Sequence, residues 1–417
     1  MKIKAETKWE AYIPNEKKSE YNAYIQLIDQ DILKHLEQNR YYNNVGIQAG
    51  TAGEILYLFY SAIHQNDESL YNAATKQLEE LIYNINPKTH RSFCSGVSGL
   101  VWLLIHLEET EILFNTCRVI GADVIDNIFL YSIDEIKNSR YDYMHNGLGS
   151  ALAFVAGYRI GLNYKDQLEA IVNELYKSAL RKGDTIFWQY LLPEKPETKM
   201  VSQGLSHGLP SIVAILSKIY EAGIAQEKCK EMIQGMINFM LSSRNPPDVY
   251  SLYPASVKLH SPHSSASGSR IGWCYGDLNI ATALYYANKV STIDNYEHIT
   301  KEILYHSISR NGQSNAAIID GSFCHGTSGT AHYYNRLSKA FCLPEAKESA
   351  ALLMGQTFEK IRYTEESGFQ VLNREEWEVK WTNHKNIISG AAGIGLTFLA
   401  AISNSSPDWD EIFLINL

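Results

Sequence analysis

Seven stretches of this chain are apolar on nearly every side, and each follows directly on a tetrad of small residues. They read GTAGEILYLF from Gly50, GVSGLVWLLI from Gly96, NGLGSALAFV from Asn146, GLPSIVAILS from Gly208, GDLNIATALY from Gly276, GTSGTAHYYN from Gly326 and GAAGIGLTFL from Gly390. Between them lie more polar stretches with apolar residues three and four apart, the period of a helix with one buried face: Glu20–Asn39, Glu68–Tyr83, Lys165–Arg181, Lys228–Ser242 and Ala346–Arg362. The unit is therefore an amphipathic outer helix, a loop, the tetrad and an apolar inner helix, recurring at intervals of 46 to 68 residues. Seven such units predict fourteen helices. Inner helices without a polar face must be buried, and a closed ring of them inside the amphipathic set leaves no open end. The expected fold is all-α, an α/α toroid. No long two-residue alternation predicts strands, although 27 tyrosines leave room for short hairpins in loops.

The loops leading into the tetrads are longest in units four, five and seven, at Gly183–Gly204, Ser243–Gly272 and Glu365–Ser389. In a toroid they emerge on the face carrying the inner-helix N-termini, where unpaired amides and positive dipole ends favour thiolates, carboxylates or enolates. Long loops are equally tolerated as plain insertions, so length alone leaves both readings open.

Composition narrows the partners more than the fold. A length of 417 residues admits two or three domains, but the repeat assigns residues 1–417 to one ring, with residues 1–19 an N-terminal extension packed on it or leading into it. A formal charge of −9 argues against a nucleic-acid partner, which needs a basic face. The N-terminus has no apolar h-region, and runs such as Leu100–Leu107 fall far short of the roughly 20 residues that cross a bilayer. The reading is a cytoplasmic protein that is not an integral membrane protein. Six cysteines in so long a chain are too sparse for a disulfide scaffold, which leaves thiols or metal ligands.

Register with the glycines picks out the reactive residues. Cys274 and Cys324 each lie two residues before a tetrad, in WCYG and FCHG, while His325 and His207 lie one before, in FCHG and LSHG. Equivalent positions in a ring face equivalent places on its rim, and units five and six are adjacent, so Cys274, Cys324 and His325 can meet. Two thiolates and an imidazole make a three-ligand zinc set whose fourth position stays open for water or substrate, as in catalytic sites. Cys and His neighbours without that register are more often core residues. Cys94 in FCSG shares the column but belongs to distant unit two, and reads as a buried small hydrophobe. His145 in YMHNG is either a site residue or a hydrogen-bonded structural histidine. Cys117, Cys229 and Cys342 fall in segments read as outer helix and are taken as structural.

These repeats, with RIGWCYG at Arg270–Gly276, FCHG at Phe323–Gly326 and LSHG at Leu205–Gly208, resemble the lanthionine synthetase C-like (LanC) cyclases over nearly the whole chain. The resemblance implies a zinc-dependent α/α toroid that forms thioether rings in lantibiotic biosynthesis, adding cysteine thiols to dehydroalanine or dehydrobutyrine to give lanthionine or methyllanthionine. It implies Cys274, Cys324 and His325 as zinc ligands, His207 as the acid/base, and supporting roles for Asp142, Arg270 and Tyr275. Asp142 fits if Asn146 stands for the first glycine of its tetrad; if Gly147 is that glycine, Tyr143 takes the aspartate's place. Ser211 and Asn279, at fourth tetrad positions, are expected to affect helix entry more than chemistry. The implied partner is a dehydrated ribosomal precursor peptide, in company with a dehydratase and an exporter, which would hold the protein peripherally at the membrane.

The chemistry needs this set. A free thiol with a pKa near 8.5 is mostly protonated at neutral pH, and coordination to zinc removes its proton. Addition at the β-carbon leaves an enolate that Arg270 or helix-end amides can stabilise, and His207 can protonate the α-carbon. Asp142 would orient that imidazole and Tyr275 hydrogen-bond nearby. The plainer roles are an ion pair for Arg270, rim packing for Tyr275 and a structural place for Trp273. With no extra domain ahead of unit one, the leading expectation is a stand-alone cyclase. The alternatives are an enzyme that adds glutathione or another small thiol to dehydrated proteins, and a non-catalytic peptide-binding scaffold with structural zinc. The three long loops and residues 1–19 are candidate peptide-binding segments by position.

Overall fold

In the computed structural model, which describes residues 9–39, 44–192, 195–259, 267–375 and 378–417, each repeat is a helix pair. The outer helices are α1 (Lys18–Gln38), α3 (Glu68–Tyr83), α5 (Ala122–Lys137), α7 (Lys165–Ser178), α9 (Gln226–Ser242), α11 (Tyr296–Ser309) and α13 (Pro344–Gln356). The inner helices are α2 (Thr51–Gln65), α4 (Val97–Glu109), α6 (Gly149–Arg159), α8 (Leu209–Glu221), α10 (Asp277–Val290), α12 (Thr327–Ala340) and α14 (Ala391–Ile402). Outer helices bury one stripe: in α1 it is Tyr21, Ile25, Ile28, Ile32 and Leu36, three or four residues apart. Every residue of α14 is buried, as is the run Val97–Leu107 of α4. Inner helices pack on one another around the circle, and α14 closes it against α2.

The tetrads earn their glycines by close approach. The loop before each inner helix curls so tightly that a backbone carbonyl six residues back reaches the place of a side chain. A Cβ on Gly99 would sit 2.2 Å from the Phe93 carbonyl oxygen, and one on Gly329 only 1.8 Å from that of Phe323. Neighbouring loops are then stitched together by their positions two before each tetrad. Cys274 N–H reaches Cys324 O (3.4 Å), Cys324 N–H reaches Ile388 O (3.0 Å), Ile388 N–H reaches Gln48 O (3.2 Å), Gln48 N–H reaches Cys94 O (3.2 Å) and Cys94 N–H reaches Met144 O (2.9 Å). This hydrogen-bonded rim is what puts the matching positions of successive units side by side.

Strands occur where the long loops were. A hairpin of β1 (Leu180–Lys182) and β2 (Thr185–Phe187) follows α7, so that helix ends at Ser178 rather than at Arg181. The antiparallel sheet β3 (Tyr190–Leu192), β4 (Lys195–Ser202) and β5 (Ser256–Lys258) joins the loops of units four and five, with Val201 opposite Val257. A second sheet, β6 (Ile361–Thr364), β7 (Gly368–Glu375) and β8 (Glu378–Thr382), fills the unit-seven loop, and α13 correspondingly stops at Gln356. Of the N-terminal extension, residues 1–8 lie outside the described residues. Beyond them, Trp9 Nε1 donates to Ala400 O (2.8 Å) and the Tyr12 amide to Ala401 O (3.0 Å), pinning the segment to the end of α14. No helix among the described residues is long and apolar enough to cross a membrane.

Candidate metal centre

The loops before α10 and α12 meet through one acceptor: the amides of Trp273 and Cys274 both donate to the Cys324 carbonyl, at 2.9 and 3.4 Å. Gly276, the N-cap of α10, has φ +125°, a conformation that side chains rarely tolerate, and a Cβ there would lie 2.0 Å from the Arg270 carbonyl oxygen. The turn doubles the WCYG loop back on itself and keeps Arg270 beside it. Cys274, Cys324 and His325 thereby bring one donor atom each to within 4.8 Å of one another, and no other such group of three occurs among the described residues.

Charge in this cluster is shared. The Cys324 thiol, hydrogen-bonded to Cys274, holds the Cys274 thiol well below its ordinary range despite burial, with help from His325 and the charge of Arg270. The same bond pushes the Cys324 thiol up. Burial works against protonation of His325, but Asp320 and Cys274 outweigh it and lift its pKa to about 9. Asp320 is fully buried: Oδ1 accepts from the Ser322 amide (2.9 Å) and hydroxyl (2.7 Å), and Oδ2 lies 3.0 Å from His325 Nε2. With Nε2 turned to a carboxylate, Nδ1 is the nitrogen left for the thiols. Two soft thiolates, an imidazole and a carboxylate behind that imidazole suit zinc. Asp320 was not foreseen from sequence.

The neighbouring loop carries the acid/base candidates. His207 precedes the N-cap Gly208 of α8, and its Nδ1 is bonded to Asp142 Oδ2. The other Asp142 oxygen accepts the His145 amide at 2.8 Å, and the His145 ring stacks on His207 with centroids 5.5 Å apart. Burial, the first of several causes, lowers the pKa of His145. Tyr275 lies 6.1 Å from the His207 ring. The Ser206 hydroxyl donates to Cys274 O (3.0 Å), so the His207 loop is tied to the Cys274 loop. Asn279 adds a second tie, accepting from the Leu205 amide (2.8 Å) and donating to Gly272 O (3.1 Å). Its place at a fourth tetrad position is therefore a bridge between two site loops, more than a matter of helix entry. Ser211 makes only a local bond to Gly208 O (2.8 Å).

The aspartate question has a geometric answer. A Cβ on Gly149 would meet Tyr143 O at 2.3 Å, the relation Gly53 has with Ile47 O, so Gly149 is a fourth tetrad position and Asn146 the first. Asp142 keeps its spacing and faces His207, while Tyr143 turns inward and donates to Ile412 O (2.8 Å). Arg270 follows Ser269, whose amide donates to Ser251 Oγ (2.9 Å) and whose carbonyl accepts from Arg310 (2.6 Å). Cys94 and Cys229 are buried thiols pushed up to about 12, chiefly by burial. Cys117 sits in a short helical turn before α5, and Cys342 between α12 and α13; these two lie in connections, not in outer helices.

The sequence matches the lanthionine synthetase C-like protein family over residues 18–414. The chain belongs to this family. Among solved structures it is similar to nisin cyclase, with TM-score 0.72 and 17% identity over 93% of this chain and 96% of that one, which places the LanC-like α/α toroid on a structural footing. A polysaccharide lyase (TM-score 0.43, 9% identity, 81% of this chain and 98% of that one) and an α-1,6-mannanase variant of Salegentibacter sp. HEL1_6 (TM-score 0.44, 10% identity, 92% and 99%) resemble it only loosely. No curated protein sequence matches the chain.

Proposed function

We propose that this LanC-like protein is a zinc-dependent peptide cyclase, closing lanthionine or methyllanthionine rings in a dehydrated precursor peptide. The observation that carries the reading is the convergence of Cys274, Cys324 and His325 within 4.8 Å, with Asp320 behind the imidazole and the His207 and Asp142 pair formed between the next two loops. Cys274, Cys324 and His325 would hold the zinc, which when bound would supply the Lewis acidity that lowers the pKa of a substrate thiol. The chain's own groups do the rest. Arg270, whose charge already acts on both thiols, balances the enolate that develops on the amide oxygen when the C–S bond forms. His207 delivers a proton to the α-carbon, and Asp142, bound to Nδ1, leaves Nε2 as the nitrogen that carries it. Tyr275 borders that ring and limits how the substrate can approach it.

Cys324→Ala tests the reading. The variant is expected to lose zinc and to leave dehydrated peptide uncyclised, read by metal analysis and by thiol alkylation followed by mass spectrometry. Full ring closure at normal metal content would refute it. Running the wild type with and without glutathione separates ring closure from addition of a small thiol.

A further inference from the structure

Pro407–Leu417 belongs to no repeat, yet its side chains and carbonyls bond to residues of four inner helices and three rim loops. It includes a short helical turn at Asp408–Phe413 whose side chains from Trp409 to Phe413 are all buried. Its acids fix its register. Glu411 accepts from Arg159 of α6 (2.9 and 3.0 Å), Lys218 of α8 (3.0 Å) and Trp102 of α4 (3.3 Å). Asp410 pairs with His332 (2.8 Å) and Arg336 (2.9 Å) of α12. Four inner helices therefore grip the segment, which occupies the middle of the ring.

What the segment offers upward is specific. The Phe413 carbonyl accepts from Trp273 Nε1 at 2.7 Å, and the Phe413 ring stacks on Phe323 with centroids 3.8 Å apart. The Ile412 carbonyl accepts from Tyr143 (2.8 Å) and from Gln48 Nε2 (2.7 Å). Trp273 precedes Cys274, Phe323 precedes Cys324 and Tyr143 follows Asp142. Cys274, Cys324 and Asp142 thus each have a chain neighbour anchored on the same two tail residues. Consecutive side chains of a tight loop project to different sides, so holding the inward one fixes where the outward one points.

We propose that Ile412 and Phe413 are positioning residues for the metal centre and for the His207 and Asp142 pair, setting the spacing of the two thiols from below. This rests on reading Cys274, Cys324 and His325 as zinc ligands. Buried ion pairs add little net stability but can specify a register, and here the register decides which carbonyls meet Trp273 and Tyr143.

The test uses the full chain with Trp273→Phe, which removes the donor to Phe413 O and trims the buried ring that meets Phe413 edge-on, and Phe413→Leu, which removes the ring under Phe323. Asn416→Ala is the comparison: it loses bonds from Lys218 (3.1 Å) and Tyr286 (2.9 Å) that lead to no site residue. Zinc affinity by chelator competition, the visible spectrum of the cobalt-substituted protein and the melting temperature are read for each. The expected result is a roughly tenfold weaker zinc affinity and a shifted cobalt spectrum in the first two variants, with only the melting temperature lowered in the third. Unchanged zinc affinity and cobalt spectrum in folded Phe413→Leu would overturn the inference, and that variant decides if Trp273→Phe does not fold. A wild type that takes up neither metal would instead refute the ligand reading itself.

Discussion

Asp142 holds His207 by Nδ1 across a sequence separation of 65 residues, from the loop of one repeat to the loop of the next. The bond selects one tautomer and aims Nε2 away from the carboxylate. Asp142→Asn keeps the size of the side chain but loses that control. Ring closure is expected to slow by about 10²- to 10⁴-fold, with zinc content and melting temperature unchanged. The rate is read by mass spectrometry of alkylated peptide. A wild-type rate would mean that the aspartate does not orient the acid.

Asp320 stands 3.0 Å behind His325 and is otherwise spent on Ser322. In Asp320→Asn the imidazole loses its negative partner, and zinc affinity should weaken by about 10- to 100-fold. Chelator competition measures it directly, and an affinity equal to wild type would show that the carboxylate serves only the loop.

Two glycines separate stability from metal uptake. Alanine at Gly99 or Gly329 drives a methyl group into the carbonyl oxygen of Phe93 or Phe323. Each should cost about 3 kcal/mol by denaturant unfolding. Only Gly329→Ala should also reduce zinc content, because Phe323 adjoins Cys324. Equal zinc content in the two variants would contradict the coupling of that loop to the site.

Glu54, in the first turn of α2, is buried with Oε2 lacking a hydrogen-bond partner, and burial raises its pKa to about 7 against the pull of Lys385. The folded protein therefore binds this proton more tightly than the unfolded chain, and the stability so gained is present below about pH 4.5 and lost as pH rises to about 7. The difference amounts to about 3 kcal/mol. Glu54→Gln removes the charge, so its stability relative to wild type should rise between pH 4.5 and 8. Parallel stability profiles for the two proteins would show that Glu54 keeps an ordinary pKa.

How much of this was written in the sequence follows from what repeats. The tetrads recur because each loop needs room for a carbonyl, so they betray the inner helices and, by register, Cys274, Cys324, His325 and His207. Asp320 lies in a different column, six residues before Gly326. The matching residues elsewhere are Asn44, His90, Arg140, Ser202, Arg270 and His384, with no common type to draw the eye. That Arg270 and Asp320 share this column was the available signal. Asp142 stayed ambiguous because NGLG offers two glycines in nearly equivalent places, and only the approach of Gly149 to Tyr143 O separates them. The β4–β5 pairing was illegible because it joins two separate loops, which no local pattern encodes, whereas β1–β2 and β6–β8 are short hairpins of the kind for which the sequence left room. Pro407–Leu417 occurs once and has no register to be read against.

The filled centre makes the toroid a bowl and not a tube. A peptide at the rim is never encircled: Trp409, Phe413 and their neighbours close the axis below it, so it must enter and leave by the same side. Nothing would have to be threaded, and under the proposed function a cyclised product would depart by the route its linear form came in. If the chain closes several rings, as proposed, their order would be a matter of which cysteine is presented next at an open surface, with no passage to dictate it.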